Sequence, residues 1–298
     1  VQFNEGAELD LSQVSDQRGV GGRAAGVGGG LGVVGLIIYF LVQQFTGVSL
    51  PAGGLEGLGS NTQVESGQLA EKCKTGADAN RDSDCRVVAT INSIQAFWQD
   101  QFARSGNTYQ VTKTNFFRNS VSTRCGNASS AVGPFYCPAD AQVYIDLDFF
   151  NELRTKFGAT GGPFVEAYVL AHEYGHHVQN LLGTSDRVSS RTGPTSDSVR
   201  LELQADCYAG AWAKAATTTP SANGQPLITD ITQEDVAAAL DAAARIGDDF
   251  IQRELGGGQV DTTKFSHGSS AQRQKWFTTG LQTGDPARCN TFDTNNLG

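Results

Sequence analysis

The stretch from Pro163 to Gly183 constrains this chain more than any other. It carries His172-Glu173-Tyr174-Gly175-His176 between a proline suited to the first turn of a helix and a glycine suited to the position just past its end, so it predicts one helix. On that helix His172 and His176 stand one turn apart and point the same way. Two imidazoles so placed can share a tetrahedral Zn²⁺, while Glu173, rotated by about 100° along the helix, reaches the metal's open side instead of the metal. These residue types at this spacing suit metal-assisted hydrolysis with Glu173 as the base. His177 points off the metal-facing stripe and reads as structural.

A catalytic zinc takes three protein ligands and keeps one position open, so a third ligand is required. The extended pattern H-E-x-x-H-x-x-G-x-x-H does not supply it, because Gln179 and Leu182 occupy the glycine and histidine positions. A second helix is predicted over Val199–Ala213, with Glu202, Ala205, Asp206, Ala209, Gly210 and Ala213 on one face. That face is mostly small, so another helix can approach it closely while Glu202 projects into the contact. Glu202 is therefore the favoured third ligand, with Glu166 and Asp186 as runners-up. Asp206, one turn later, is positioned to accept the free ring N–H of a zinc-bound histidine and fix its tautomer.

The six cysteines, Cys73, Cys85, Cys125, Cys137, Cys207 and Cys289, form no C-x-x-C pair and favour disulfides. Cys73 with Cys85 and Cys125 with Cys137 close similar short loops and leave Cys207 for Cys289, although six cysteines allow about 15 connectivities. Residues 1–23 are polar and read as a flexible tail. No charge interrupts Ala24–Val42, and residues 24–45 read as a transmembrane anchor, followed by a glycine-rich linker over 46–68. Arg18 and Arg23 precede the apolar run, and no Lys or Arg follows before Lys72. The positive-inside rule then puts the N-terminus in the cytoplasm and the body, residues 69–298, outside, where disulfides persist. A cleaved signal peptide is the rival reading. The net charge of −9, with no basic run, excludes nucleic acid as a partner.

Within the body, Val87–Ser105 is amphipathic, with Val88, Ile91, Ile94, Phe97, Trp98 and Phe102 as a core stripe. Gln142–Phe150 alternates as a half-buried strand does, and it is a candidate edge for an extended peptide. Thr232 and Asp235 cap a helix that stops at Gly247, and Ala271–Gly280 reads as another ending in glycine. His267, the one histidine away from the metal motif, becomes an oxyanion donor if the chain folds back to the cleft.

Four segments together resemble a known family: His172-Glu-Tyr-Gly-His176-His177-Val-Gln, Leu201-Glu202-Leu-Gln-Ala-Asp206-Cys207-Tyr-Ala-Gly, Ile246-Gly-Asp-Asp249 and Phe265-Ser-His267-Gly-Ser-Ser-Ala-Gln-Arg273. The chain is similar over nearly its whole length to the bacterial neutral zinc metallopeptidases, a family of membrane-anchored peptidases. The resemblance implies a zincin-like domain, one Zn²⁺ and a gluzincin-type ligand set, mapped onto His172, His176 and Glu202 with Glu173 as base. The expected class is α+β, mainly helical with a small sheet, preceded by a single transmembrane helix, and the expected substrate is a peptide or protein. The alternative is a non-catalytic zinc-containing envelope protein. It is disfavoured because a structural site gains nothing from Glu173 and usually has four protein ligands.

Overall fold

The structure is a computed structural model that describes residues 1–18 and 66–298. In chain order these form β1 (Gln2–Phe3), β2 (Val14–Asp16), α1 (Ser66–Lys72), α2 (Ser83–Arg104), β3 (Thr114–Phe117), β4 (Ser120–Thr123), β5 (Gly126–Ser129), β6 (Phe135–Cys137), β7 (Gln142–Asp146), α3 (Phe149–Thr155), α4 (Pro163–Leu181), α5 (Asp197–Ala215), β8 (Ile228–Asp230), α6 (Gln233–Arg245), α7 (Asp248–Glu254) and α8 (Ser270–Thr283). Short 3₁₀ turns and a four-residue helix, Gly76–Ala79, join them. The class is α+β, predominantly helical.

The histidine-bearing α4 is the central element. Pro163 opens it, Gly183 follows it at φ 69°, and every residue from Phe164 to Gln179 except Glu166 is buried. A helix buried all round must be covered on several sides. α2, α5 and α6 pack against it together with β6 and β7. The approach of α5 is close because Gly175 has no side chain: a β-carbon there would lie 3.0 Å from Ala205 Cα. α8 crosses α5 on another side, where a β-carbon on Gly280 would overlap the Cys207 carbonyl and one on Gly210 the Phe277 carbonyl. Gly280 is thus a packing residue and not the helix stop expected from sequence. α8 runs on to Thr283 and ends at Gly284, φ 63°.

The main sheet has the order β2-β3-β7-β6, with β2, β3 and β7 parallel and β6 antiparallel to β7. β7 is therefore an interior strand, paired on both sides, and not the expected edge. Nor is it half-buried. Val143 and Ile145 enter the main core, while Tyr144 joins Phe117, Val121, Val132 and Phe135 in a second apolar cluster. The β4–β5 hairpin, tied down by Cys125–Cys137, contributes Val121 and Ala128 to that cluster, so the strand's polar-looking face is buried too. The strand also ends at Asp146, short of the expected Phe150, because Phe149 begins α3. All three expected disulfides are formed: Cys73–Cys85, Cys125–Cys137 and Cys207–Cys289.

The expectation of a flexible tail is corrected over residues 1–18. β2 pairs with β3 in the register Val14↔Thr114, and β1 pairs with β8. Asn80 and Asn92 each bridge a backbone N–H and C=O of this segment, at Phe3 and Asp10. The segment is thus held largely through its backbone, and its few buried apolar residues, Phe3, Ala7 and Val14, are too sparse to show as a period. The domain accordingly includes chain on both sides of residues 19–65. The anchor expected at 24–45 and the linker expected from 46 lie outside the described residues up to residue 65, and Ser66–Lys72 is already helical. Among the described residues, no helix is long and apolar enough to cross a membrane.

Val14→Asp would place a carboxylate beneath β2 and is expected to lower the stability of the whole domain by about 2–4 kcal/mol in urea unfolding. Unchanged stability would show that β2 contributes nothing to the sheet.

Candidate metal centre

α4 presents His172, Glu173 and His176, and α5 presents Glu202 and Asp206 to the same buried space. His172 Nε2 lies 3.1 Å from His176 Nε2 and 3.1 Å from Glu202 Oε2, and His176 Nε2 lies 3.4 Å from Glu202 Oε1. Bonds of about 2.0–2.1 Å meeting at the tetrahedral angle separate their donor atoms by about 3.3 Å. The three residues therefore fit one small cation. The runners-up for the third ligand are elsewhere: Glu166 pairs with Arg86 at 3.3 Å, and Asp186 is exposed on the turn after α4.

The outer nitrogens of the imidazoles fix where the protons sit. His172 Nδ1 lies 2.9 Å from Asp206 Oδ1, and Asp206 is a fully buried carboxylate held by Arg273 at 2.9 Å through both Nε and Nη2 and by the Tyr168 hydroxyl at 2.6 Å. His176 Nδ1 lies 2.8 Å from the Gln179 side-chain oxygen. Each Nδ1 thus donates, and with a metal bound each Nε2 would turn a lone pair inward. Two imidazole nitrogens and a carboxylate converge on one point, an arrangement held together by a metal cation or, without one, by a proton.

Without a metal, a proton on His172 holds the imidazole to Glu202 in the place a cation would take. Burial opposes a charge on His172, but Asp206 and then Glu202 outweigh it and lift the imidazole to about 10. Burial also opposes ionisation of Glu202, yet His176 and His172 hold its carboxyl well below the usual range. For Asp206 burial is again outweighed, here by Arg273 and His172, and the group is held low. Glu173 differs. It is 3% exposed, its Oε2 has no hydrogen-bond partner, and burial pushes its carboxyl up to about 7 against the pull of the two histidines. An unpartnered carboxylate beside a cation site, poised near neutrality, has the properties of a general base.

The C-terminal segment does fold back to this centre. His267 is 7% exposed and lies in the segment leading to Arg273, which binds Asp206. Its ring Nδ1 lies 2.8 Å from Ser266 Oγ and 3.4 Å from Asp248 Oδ1, while Asp248 Oδ2 accepts the backbone N–H of Ser266, His267 and Gly268. It touches none of the three converging donor atoms. His177 donates from Nε2 to the Gln110 carbonyl at 2.7 Å and accepts at Nδ1 from the Tyr136 hydroxyl, away from the cluster. A second grouping of possible ligands, Cys73, Asp82 and Cys85, consists of a disulfide and the residue capping α2.

Sequence reasoning missed four residues of this site. Arg273 and Tyr168 secure Asp206, and Gln179 and Gln204 stand behind His176. Tyr168 lies one turn before His172 and Gln179 nearly one turn after His176, spacings that were readable. Arg273 is 67 residues from Asp206 and only the fold unites them.

Fold and site together define an α+β domain with a buried His–His–Glu group able to bind a metal ion. The chain belongs to the family described as "Putative neutral zinc metallopeptidase", whose model matches residues 6–292, a span that includes β2. It is 49% identical over 243 residues to an uncharacterized protein of Mycobacterium tuberculosis, covering 81% of each chain. It is also 38% identical over 279 residues to the uncharacterized protein YpfJ of Escherichia coli, covering 92% of this chain and 91% of that one. No solved structure matches the chain significantly.

The raised Glu173 carboxyl has a signed consequence for metal-free protein. Because its folded value of about 7 exceeds the ordinary 4.5, ionisation opposes folding, with no penalty below about pH 4, a growing one through the window between, and the full one above pH 7. Glu173→Gln should therefore stabilise the chelator-treated protein by about 2–3 kcal/mol at pH 8 and leave it unchanged at pH 4 in urea unfolding. Equal stability at pH 8 would contradict the buried carboxylate. Arg273→Met, which strands Asp206, should lose about 3–5 kcal/mol by the same measurement.

Proposed function

We propose that this chain is a zinc-dependent peptidase with a zincin-like fold, using one Zn²⁺ in a gluzincin-like site. The observation that carries the reading is the convergence of His172 and His176 Nε2 with the Glu202 carboxylate beside Glu173, whose Oε2 has no hydrogen-bond partner. His172, His176 and Glu202 hold the metal. When bound, zinc polarises the scissile carbonyl and acidifies the attacking water. Glu173 takes the proton of that water and passes it to the leaving amine. His267, steadied by Ser266 and Asp248, donates to the developing oxyanion. The substrate on this reading is a peptide or protein chain, which the description of the family as a neutral zinc metallopeptidase supports. A purely structural zinc site would leave the buried, unpaired Glu173 without a use.

The location belongs to the same proposal. Three disulfides favour an oxidising compartment, which supports an extracytoplasmic body at the cell envelope. The pairing of β2 with β3 supports residues 1–18 lying in the same compartment as residues 66–298. On this proposal the N-terminus lies outside as well, against the cytoplasmic placement that Arg18 and Arg23 suggest. Arg18 instead binds Asp16 at 2.6 Å and Asp84 at 2.9 Å.

Glu173→Gln should retain one zinc per chain and lose about 10²–10⁴-fold in hydrolysis of an unstructured protein. Wild-type hydrolysis by the zinc-loaded variant would overturn the reading. Cysteines introduced singly as Glu5→Cys and Ala222→Cys, both exposed positions, should react equally with a membrane-impermeant thiol reagent on intact cells. Labelling at 222 alone would separate the two segments.

A further inference from the structure

The two imidazoles are oriented by different means. His172 faces a carboxylate, which can only accept once ionised. His176 faces Gln179, whose amide can present either an acceptor or a donor, so the orientation of that amide decides which nitrogen of His176 is left for the metal.

The surroundings of Gln179 settle the orientation. Its Nε2 donates to the Leu201 carbonyl at 2.7 Å and to Gln204 Oε1 at 3.0 Å. Gln204 Nε2 donates in turn to the Cys289 carbonyl at 2.9 Å. Backbone carbonyls have no donor form. Cys289 therefore requires the Gln204 amide nitrogen, which turns Gln204 Oε1 toward Gln179; Leu201 and Gln204 together then require the Gln179 nitrogen. The Gln179 oxygen is left for His176 Nδ1. Turning either amide over would oppose like groups at two contacts, oxygens at both for Gln179 and one pair of oxygens and one of NH2 donors for Gln204, in a space where Gln179 is fully buried, and each lost pairing there costs about 1–3 kcal/mol.

We propose that Gln179 and Gln204 are positioning residues for the metal site, forming a one-way relay that keeps the proton of His176 on Nδ1 and its Nε2 lone pair on the metal. The far end of the relay is covalently fixed, because Cys289 is bonded to Cys207 on α5, the helix that also carries Leu201, Glu202 and Gln204. The adjoining C-terminal segment is held to that helix by Arg200, which donates to the Thr291 and Thr294 carbonyls, and by the Thr291 hydroxyl on the Arg200 carbonyl. The inference rests on the metal-site reading and assigns a role to residues that contact neither metal nor substrate.

Zinc affinity, measured by chelator competition, separates positioning from simple packing. Gln179→Leu deletes the acceptor for His176 and should weaken zinc binding about 10–100-fold. Gln179→Glu keeps an acceptor for His176 but removes both amide donations, so its affinity should stay within about 3-fold of wild type while its metal-free stability falls with that of Gln179→Leu. A structural role predicts the reverse ranking, with Glu at least as damaging as Leu to both. If Gln179→Leu does not fold, Gln204→Leu carries the test, with a smaller loss of about 3–10-fold. Wild-type affinity in Gln179→Leu, or in Gln204→Leu where that variant is used, overturns the relay alone, as does equal weakening by Leu and Glu. Absence of zinc binding in the wild-type chain overturns the metal reading and the relay with it.

Discussion

Everything at this site follows from the close approach of α4 and α5 at Gly175. Only there does a helix of buried residues come near enough to its neighbour for Ala205 to lie against bare backbone. Glu202 stands almost one turn before Ala205 and Asp206 immediately after it, so the one contact delivers both carboxylates to the histidines. Glu202 meets the inner nitrogens, and Asp206 meets the outer nitrogen of His172. Any side chain at 175 would push the helices apart and lengthen both sets of contacts at once.

That approach buries charge that hydrophobic packing cannot balance. Asp206 is fully buried, and a carboxylate so buried needs partners on every side. Arg273 supplies two of its bonds and Tyr168 a third, which explains why α8 crosses α5 as closely as the glycines at 210 and 280 permit. Glu202 has only the two histidines beneath it and is complete once a cation joins them. Glu173 Oε2 has no hydrogen-bond partner. The three acids are thus treated differently by their surroundings, one neutralised by the protein, one left for the metal and one left free to accept a proton.

Much of this was legible in the residues. The ends of α4, the spacing of its histidines, the small face of the following helix with Glu202 and Asp206 upon it, and the capping box at Thr232 are local patterns that the structure repeats. What was not legible is non-local. Gly280 reads as a stop until Cys207 is seen beneath it, and Gln142–Asp146 reads as half-exposed until the β4–β5 hairpin covers its second face. The N-terminal eighteen residues read as tail because their structure consists of backbone pairing with β3 and β8, which leaves no periodic trace. Arg273 was within a recognised motif, but its role needed the fold to bring it to Asp206.

The central claim is that a zinc ion sits among two imidazoles and one carboxylate. X-ray absorption at the zinc edge of the loaded protein tests it most directly. The account predicts nitrogen and oxygen donors alone at about 2.0–2.1 Å, with the multiple-scattering pattern of two imidazoles. A sulfur donor near about 2.3 Å, or a shell with fewer than two imidazoles, would contradict it.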